Sequence, residues 1–277
     1  RQVTMIPDSG RVRARRSLSQ NFLIDHNLRR KLVAALEALP TDTVLEVGPG
    51  HGELSELIVG EVERLVLIEK DDRLFDHLHG RWGDRDDVEI VHADALEIDL
   101  SKQADPSGAL RVISNVPYSI TSPLLFRLLE LRPAASRILV VVQAEVGRRI
   151  VADPGSREYG ALSVGVRTRA EARLAFQVGR QAFRPVPDVE SVAVVIDPFP
   201  DGLPRDRAES LRRLTRVAFS RRRKQLRGIL RDAPEYRLPS ETAEALLSEL
   251  GVDPSARPET LAPDMFVQLA ERLEKPG

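Results

Sequence analysis

The chain has 277 residues, 42% hydrophobic and 30% charged, which suits a soluble globular protein with one large core and room for a smaller appendage. It contains no cysteine, which excludes disulfides, thiolate zinc sites and thiol nucleophiles, and its five histidines are too scattered for a metal-ligand pattern. The formal net charge of -1 conceals an uneven distribution: Arg11, Arg13, Arg15 and Arg16 cluster near the start, and Leu211 to Arg231 holds nine basic residues and no acid, a pattern that favours a polyanionic partner.

No run is long and apolar enough to cross a bilayer, and the first ten residues lack the apolar core of a signal peptide, so a cytoplasmic enzyme is the default expectation. Residues 1–16 read as a flexible basic arm. Gln20 and Asn21 then precede Asp25, an N-cap for a helix whose Leu28, Leu32, Leu36 and Leu39 recur at helical spacing until Pro40. The two amides can cap that helix or bond the edge of a ligand.

Val44-Leu-Glu-Val-Gly-Pro-Gly-His-Gly-Glu53 is a buried strand breaking into a tight turn. Glycines at 48, 50 and 52 permit positive φ and let a ligand approach the backbone closely. The spacing Gly-x-Gly-x-Gly differs from the dinucleotide fingerprint, and no P-loop lysine follows. An acid just before the glycines, Glu46, would repel a pyrophosphate but tolerate a cationic or zwitterionic cofactor such as S-adenosylmethionine. Glu53 to Val59 is expected to start a helix.

Arg64 to Glu69 is a second strand closing on an acid, 17 residues after Gly52, near the distance of ~20 at which such a carboxylate takes ribose hydroxyls. Val88 to Asp94 is a third, and Asp94 can accept a hydrogen from an adenine amino group. Glu46, Glu69 and Asp94 are thus expected to converge on one crevice at the carboxyl edge of a parallel sheet. The fourth strand, Arg111 to Ser114, opens into Asn115-Val-Pro-Tyr118, which offers an amide, a fixed φ and an aromatic face: the parts needed to hold a planar amine. Ser122 and Pro123 read as the N-cap and first residue of the next helix.

Further strands are expected at Arg137 to Gln143, Ala161 to Arg169, Ala172 to Val178 and Ser191 to Ile196, with no long helices between the last few, giving a parallel sheet with an antiparallel edge. Pro198, Pro200, Gly202 and Pro204 mark a linker, and the pattern from Asp206 onward is helical, with Gly251 stopping one helix and Pro263 opening another. The division expected is therefore 17–204 for the sheet domain and 205–277 for a helical domain. Its basic helical segment, Arg221, Arg222, Arg223 and Lys224, would grip RNA phosphates.

Asn115-Val-Pro-Tyr118 resembles the Asn-[Leu/Ile]-Pro-[Tyr/Phe] motif of amino-directed adenine methyltransferases. With Gln20-Asn-Phe-Leu23, Glu46-Val-Gly-Pro-Gly50, Ile68-Glu-Lys70, Ala93-Asp-Ala-Leu96, Val142 to Val146, Tyr159 to Val164, Phe183 to Ser191 and Ala218 to Leu226, nearly the whole chain after the arm resembles the KsgA/RsmA rRNA adenine dimethyltransferases. Ser19, Val116 and Asp188 depart from the common residues without removing an expected catalytic group.

The resemblance implies a Rossmann-like, class I methyltransferase sheet of seven strands. It also implies S-adenosylmethionine as methyl donor and the small-subunit rRNA of immature 30S particles as substrate. The enzyme would be monomeric, without metal or membrane. It assigns Asn21, Leu23, Gly48, Glu69, Asp94 and Asn115 to the cofactor. Asn115, Pro117, Tyr118 and Phe183 fall to the reaction, with Tyr118 and Phe183 on opposite faces of an extruded base. Leu23 would otherwise be read as core, so a backbone contact is implied there. The Erm-type large-subunit rRNA methyltransferases share two of these motifs, and a ribosome-assembly RNA-binding factor with secondary methylation is the alternative of another class.

Overall fold

The structure, a computed structural model, describes residues 21–103, 109–115, 117–131 and 134–274; the arm over residues 1–16 lies outside the described residues. In chain order the elements are β1 (Phe22–Leu23), α1 (His26–Leu36), β2 (Thr43–Val47), β3 (Arg64–Glu69), α2 (Asp72–Trp82), β4 (Val88–His92), β5 (Leu110–Ser114), α3 (Thr121–Leu129), β6 (Arg137–Gln143), α4 (Ala144–Val151), α5 (Ala161–Arg167), β7 (Ala170–Val178), β8 (Phe183–Arg184) and β9 (Ser191–Pro198). Four helices follow: α6 (Arg205–Ser220), α7 (Leu226–Asp232), α8 (Ser240–Glu249) and α9 (Pro263–Glu274).

Seven strands form one sheet in the order β4-β3-β2-β5-β6-β9-β7, and β1 pairs with β8 in a separate two-stranded ribbon. Strands β4, β3, β2, β5 and β6 are mutually parallel, so their carboxyl ends share one edge. The reversed strand is β9, antiparallel to both neighbours, and it lies between β6 and β7 rather than at the margin expected from the sequence. Near-continuous apolar runs in β2, β3 and β6 are buried on both faces, because helices cover each side. One core holds Leu45, Val47, Val66 and Ile68 against α3; the other holds Val44, Leu65 and Leu67 against α1 and α2.

Several local expectations are corrected. The Asp25 side chain does cap α1, accepting from Leu28 N at 2.9 Å, but the helix ends at Leu36 because Glu37 takes a left-handed conformation, φ 52°, and Leu39 is exposed. Ser122 is not an N-cap: a 3-10 turn, Tyr118–Ile120, feeds directly into α3, so the helix starts at Thr121 with Pro123 inside its first turn. Only Ser55–Leu57 of the segment after the glycines is helical, as a single 3-10 turn.

The largest difference is residues 161–169. Leu162, Val164 and Val166 alternate like a strand, yet they lie on α5, whose residues 162–166 are all buried. Leu162 and Val166 join the sheet core, whereas Val164 joins the core of the carboxy-terminal helices. A helix buried all round loses the polar face that marks its period. Helices α4 and α5 thus fill the gap between β6 and β7 that seemed to lack them.

Residues 199–204 hold no helix or strand and α6 to α9 follow, but the core of these helices is not self-contained. Ala152, Tyr159 and Val164 pack with Leu211, Leu214, Phe266 and Leu269. The Tyr159 hydroxyl donates to the Leu261 carbonyl at 2.9 Å.

Candidate active site at the carboxyl edge of the sheet

At the shared edge lies a cavity of about 310 Å³ whose wall includes Asn21, Gly48, Glu69, Asp94, Asn115, Pro117 and Phe183. Its members come from the ends of four adjacent strands, β4, β3, β2 and β5, and from the β1–β8 ribbon that folds over them. The Ser114 hydroxyl donates to the Val47 carbonyl at 3.0 Å, tying the end of β5, and so Asn115, to the glycine turn.

The three glycines divide by role. Gly48, Gly50 and Gly52 have φ of 69°, 62° and 83°, where a side chain is strained. Gly48 and Gly50 line the cavity. Gly52 does not; a Cβ there would fall 2.4 Å from the Trp82 ring, so that glycine serves the packing of α2.

Glu69 is buried and accepts from Lys70 N and Asp71 N, both at 2.8 Å, and from Gly50 N at 3.4 Å. Burial pushes its carboxyl above the usual range, against the pull of those N–H donors. Asp94 accepts the Lys70 ammonium on Oδ2 at 2.6 Å and Leu96 N on Oδ1 at 2.8 Å. That lysine holds its carboxyl below the usual range, an ionised acceptor at the cavity wall.

Glu46 is corrected. Its side chain points to the opposite face of β2, is 2% exposed, and accepts the Ser55 hydroxyl at 2.6 Å. Burial foremost, with help from Glu53 and Glu69, pushes its carboxyl up to about 8. It is therefore mainly neutral at pH 7 and repels no anion. The alternation of a strand places Glu46 with Val44 and away from the cavity-side Val47, a distinction the strand-end position did not reveal.

Leu23 is core, as its side chain suggested, and its carbonyl accepts Arg29 Nε at 2.8 Å and Nη2 at 2.5 Å. It is Phe22 beside it that reaches the cavity. Phe183 pairs with Leu23 across the ribbon and is 1% exposed, its ring forming both core and cavity wall. The Pro117 carbonyl accepts Ile120 N at 3.1 Å. The Tyr118 side chain lies outside the described residues.

Phe22, Glu53, Lys70, Asp71 and Ser119 also line the cavity and had not been singled out. Lys70 and Asp71 directly follow the strand-end Glu69, and a helix-capping Asp71 was a readable cue.

The basic segment is corrected as well. Residues 221–224 form a turn between α6 and α7 rather than part of a helix. Arg222 faces inward, with Nε 2.6 Å from Glu259 and its other nitrogens donating to the Arg157 and Ser156 carbonyls. Lys224 lies 3.5 Å from Asp232. Arg212 and Arg227 pair with Glu130 and Glu244, so acids absent from the segment are supplied by other elements. Arg223 is exposed and Arg221 half-buried.

A seven-stranded sheet with one reversed strand, carrying a ligand cavity where a glycine turn meets the carboxyl edge, defines the class I methyltransferase fold. The family described as ribosomal RNA adenine dimethylase matches residues 11–275, and the chain belongs to that family. The ribosomal RNA small subunit methyltransferase A of Nitratidesulfovibrio vulgaris is 40% identical over 264 residues, covering 94% of this chain and 97% of the relative. The protein of the same name from Chelativorans is 41% identical, covering 94% and 93%. Among solved structures, a dimethyladenosine transferase from Plasmodium falciparum superposes with a TM-score of 0.76 at 25% identity, covering 89% of this chain and 95% of that one. The 23S rRNA methyltransferase ErmE gives 0.66 at 26%, covering 92% and 100%. No described helix is long and apolar enough to cross a membrane, and no cluster of potential metal ligands occurs among the described residues.

Proposed function

We propose that the protein is an S-adenosylmethionine-dependent rRNA adenine-N6,N6-dimethyltransferase acting on two adjacent adenosines near the 3′ end of small-subunit (16S) rRNA during ribosome biogenesis. The observation that carries this reading is the meeting of Glu69, Asp94 and Asn115, from three different strand ends, in one cavity. Relatives at about 40% identity carry the small-subunit name over nearly the whole chain, which supports that substrate over large-subunit rRNA.

The residues fit the cofactor. Gly48 and Gly50 leave the cavity floor without side chains, Glu69 suits two ribose hydroxyls, and the ionised Asp94 suits an exocyclic amine. Bound there, S-adenosylmethionine supplies an electrophilic methyl group on a cationic sulfur. The remaining work is positional. Adenine's amine is a poor nucleophile because its lone pair is delocalised into the ring. Oδ1 of Asn115 and the free lone pair of the Pro117 carbonyl would accept its two hydrogens, and those bonds strengthen as the nitrogen becomes tetrahedral and gains positive charge. No general base is required, since the proton becomes acidic after attack and leaves to water.

Tyr118 is assigned to stack on the extruded base, with Phe183 as the wall opposite. Stacking contributes ~1–3 kcal/mol per base, comparable to the cost of unstacking, so an already looped adenosine is preferred. Helices from residue 205 onward are assigned to RNA. With Arg222 and Lys224 engaged by the protein itself, Arg221 and Arg223 are the better phosphate contacts of the four.

Mass-spectrometric mapping of methyl groups on rRNA, after incubation of immature small subunits or free large-subunit RNA with purified protein and labelled cofactor, tests the reading. Dimethylation of two neighbouring adenosines in the small subunit is expected; modification of the large-subunit RNA alone would overturn it. If Asn115→Ala removes methylation and leaves every assembly phenotype intact, the assembly-factor reading gains instead.

A further inference from the structure

Two elements that are not paired in the main sheet meet at the cavity. The β1–β8 ribbon brings Phe22 and Phe183 to its wall, and the turn after β2 brings Gly48 and Gly50. Each is held from behind by an arginine on a different helix. Arg29 of α1 is buried and points its fork at the ribbon, where Nε and Nη2 both donate to the Leu23 carbonyl. Leu23 is core, so its carbonyl needs a donor from within the protein. Arg81 of α2 holds the turn: Nη1 donates to the His51 carbonyl at 2.9 Å, and its guanidinium lies 4.3 Å from the centre of the Trp82 ring.

One carboxylate joins the two arginines. Glu56, in the 3-10 turn Ser55–Leu57, places Oε1 3.5 Å from Arg29 Nη1 and Oε2 3.3 Å from Arg81 Nη2. The contacts run from the Leu23 carbonyl through Arg29, Glu56 and Arg81 to the His51 carbonyl, and none of these three side chains belongs to the cavity wall. Ion pairs this long, on an exposed glutamate, contribute little to stability. Their effect is directional, because a charge between the two guanidinium groups aims both at their carbonyls. The Phe22 ring sits against the turn, 4.4 Å from the centre of the His51 ring, so a shift of ribbon against turn is a shift of the wall.

We propose that Arg29 and Arg81, coupled through Glu56, are positioning residues that set the spacing between ribbon and glycine turn, and with it the grip on the cofactor. This rests on the cofactor assignment of the cavity and adds control by residues that never touch the ligand. Asn115 hangs instead on β5, through the Ser114 bond to Val47, so loosening the clamp weakens cofactor binding more than it slows transfer.

The test is a double-mutant cycle with Glu56→Gln and Arg81→Lys. S-adenosylhomocysteine affinity is read by titration calorimetry, kcat and the cofactor KM on immature small subunits, and folding by urea midpoint. Each single substitution is expected to weaken S-adenosylhomocysteine and raise the cofactor KM by about fivefold, with kcat within about twofold of wild type. The double variant should be no weaker than the weaker single, since a chain broken once is already broken. Losses that multiply would make the two residues independent and overturn the proposal. So would unchanged affinity in both singles, or a fall in kcat with affinity retained. Collapse of the urea midpoint in Glu56→Gln, with Arg81→Lys folded and of wild-type affinity, would assign the carboxylate to the fold and overturn it too. Failure of the wild-type protein to bind S-adenosylhomocysteine would instead strike the cofactor assignment itself.

Discussion

Gly52→Ala separates packing from ligand approach within a single turn. At φ 83° an L-residue costs about 1–2 kcal/mol in the left-handed region. The added Cβ would also fall 2.4 and 2.6 Å from two carbons of the Trp82 ring, which is 8% exposed and sits beside the fully buried Leu78, so the indole must shift within a filled core. Overpacking of that kind costs about 1–3 kcal/mol. Reduced freedom of the unfolded chain returns about 0.4–1 kcal/mol. The net expectation is a loss of about 3 kcal/mol, read as a lower urea midpoint at unchanged slope. Gly50→Ala should lose less, about 1–2 kcal/mol, since its Cβ would meet the Phe22 ring at 3.1 Å and Glu53 Oε2 at 3.3 Å, where small shifts suffice, but it should weaken S-adenosylhomocysteine because it fills the cavity floor. A Gly52→Ala protein that kept its stability to within about 1 kcal/mol while losing ligand affinity would refute this division of the glycines.

Tyr118→Ala should abolish methyl transfer and retain S-adenosylhomocysteine affinity; equal loss of both would point to a structural tyrosine. Glu46 gives a pH prediction. Its carboxyl is raised from 4.5 to about 8 on folding, so the folded chain holds the extra proton between those values and stability falls as pH rises through that window. The slope is at most about 1.4 kcal/mol per pH unit, and Glu46→Gln should flatten it between pH 5 and 8 in denaturation experiments. Arg222→Ala should destabilise the fold by about 1–2 kcal/mol through loss of Glu259 and two carbonyl partners, with little change in the salt dependence of RNA binding. Arg223→Ala should do the reverse, lowering the slope of log affinity against log salt by roughly one.

The sheet and the cavity were legible because their cues are local. Buried runs ending in an acid or a glycine turn reveal β2, β3 and β4, and their parallel pairing follows from the helical stretch between β3 and β4. What one strand alone does not reveal is which face its polar residue takes. Glu46 and Glu69 look alike as strand-end acids, yet Glu46 lies one residue before the end of its strand and Glu69 is the last of its own, so only the second reaches the cavity. Helix α5 was misread because two separate cores cover it and remove its polar stripe. In the Arg221 to Lys224 cluster, Arg222 and Lys224 are engaged within the protein because acids from beyond the segment, Glu259 after α8 and Asp232 at the end of α7, meet them. Lys70 and Phe22 stood inside noticed motifs, but residue type alone gave no reason to aim either at the cavity.

The stitching around Tyr159 has a consequence for target choice. The loop before α5 is fastened to the carboxy-terminal helices by the Tyr159–Leu261 bond, by Arg222 on Ser156 and Arg157, and by Gly155 N on the Glu259 carbonyl at 2.6 Å. Such fastenings limit how far the Arg221–Arg223 turn can move from the sheet domain that carries Asn115, and a limited separation works as a ruler. On the proposed assignment of that turn to RNA, a strand gripped by its phosphates at one end would be measured off, and the nucleotide presented at the other end would be set by length rather than by the letters around it.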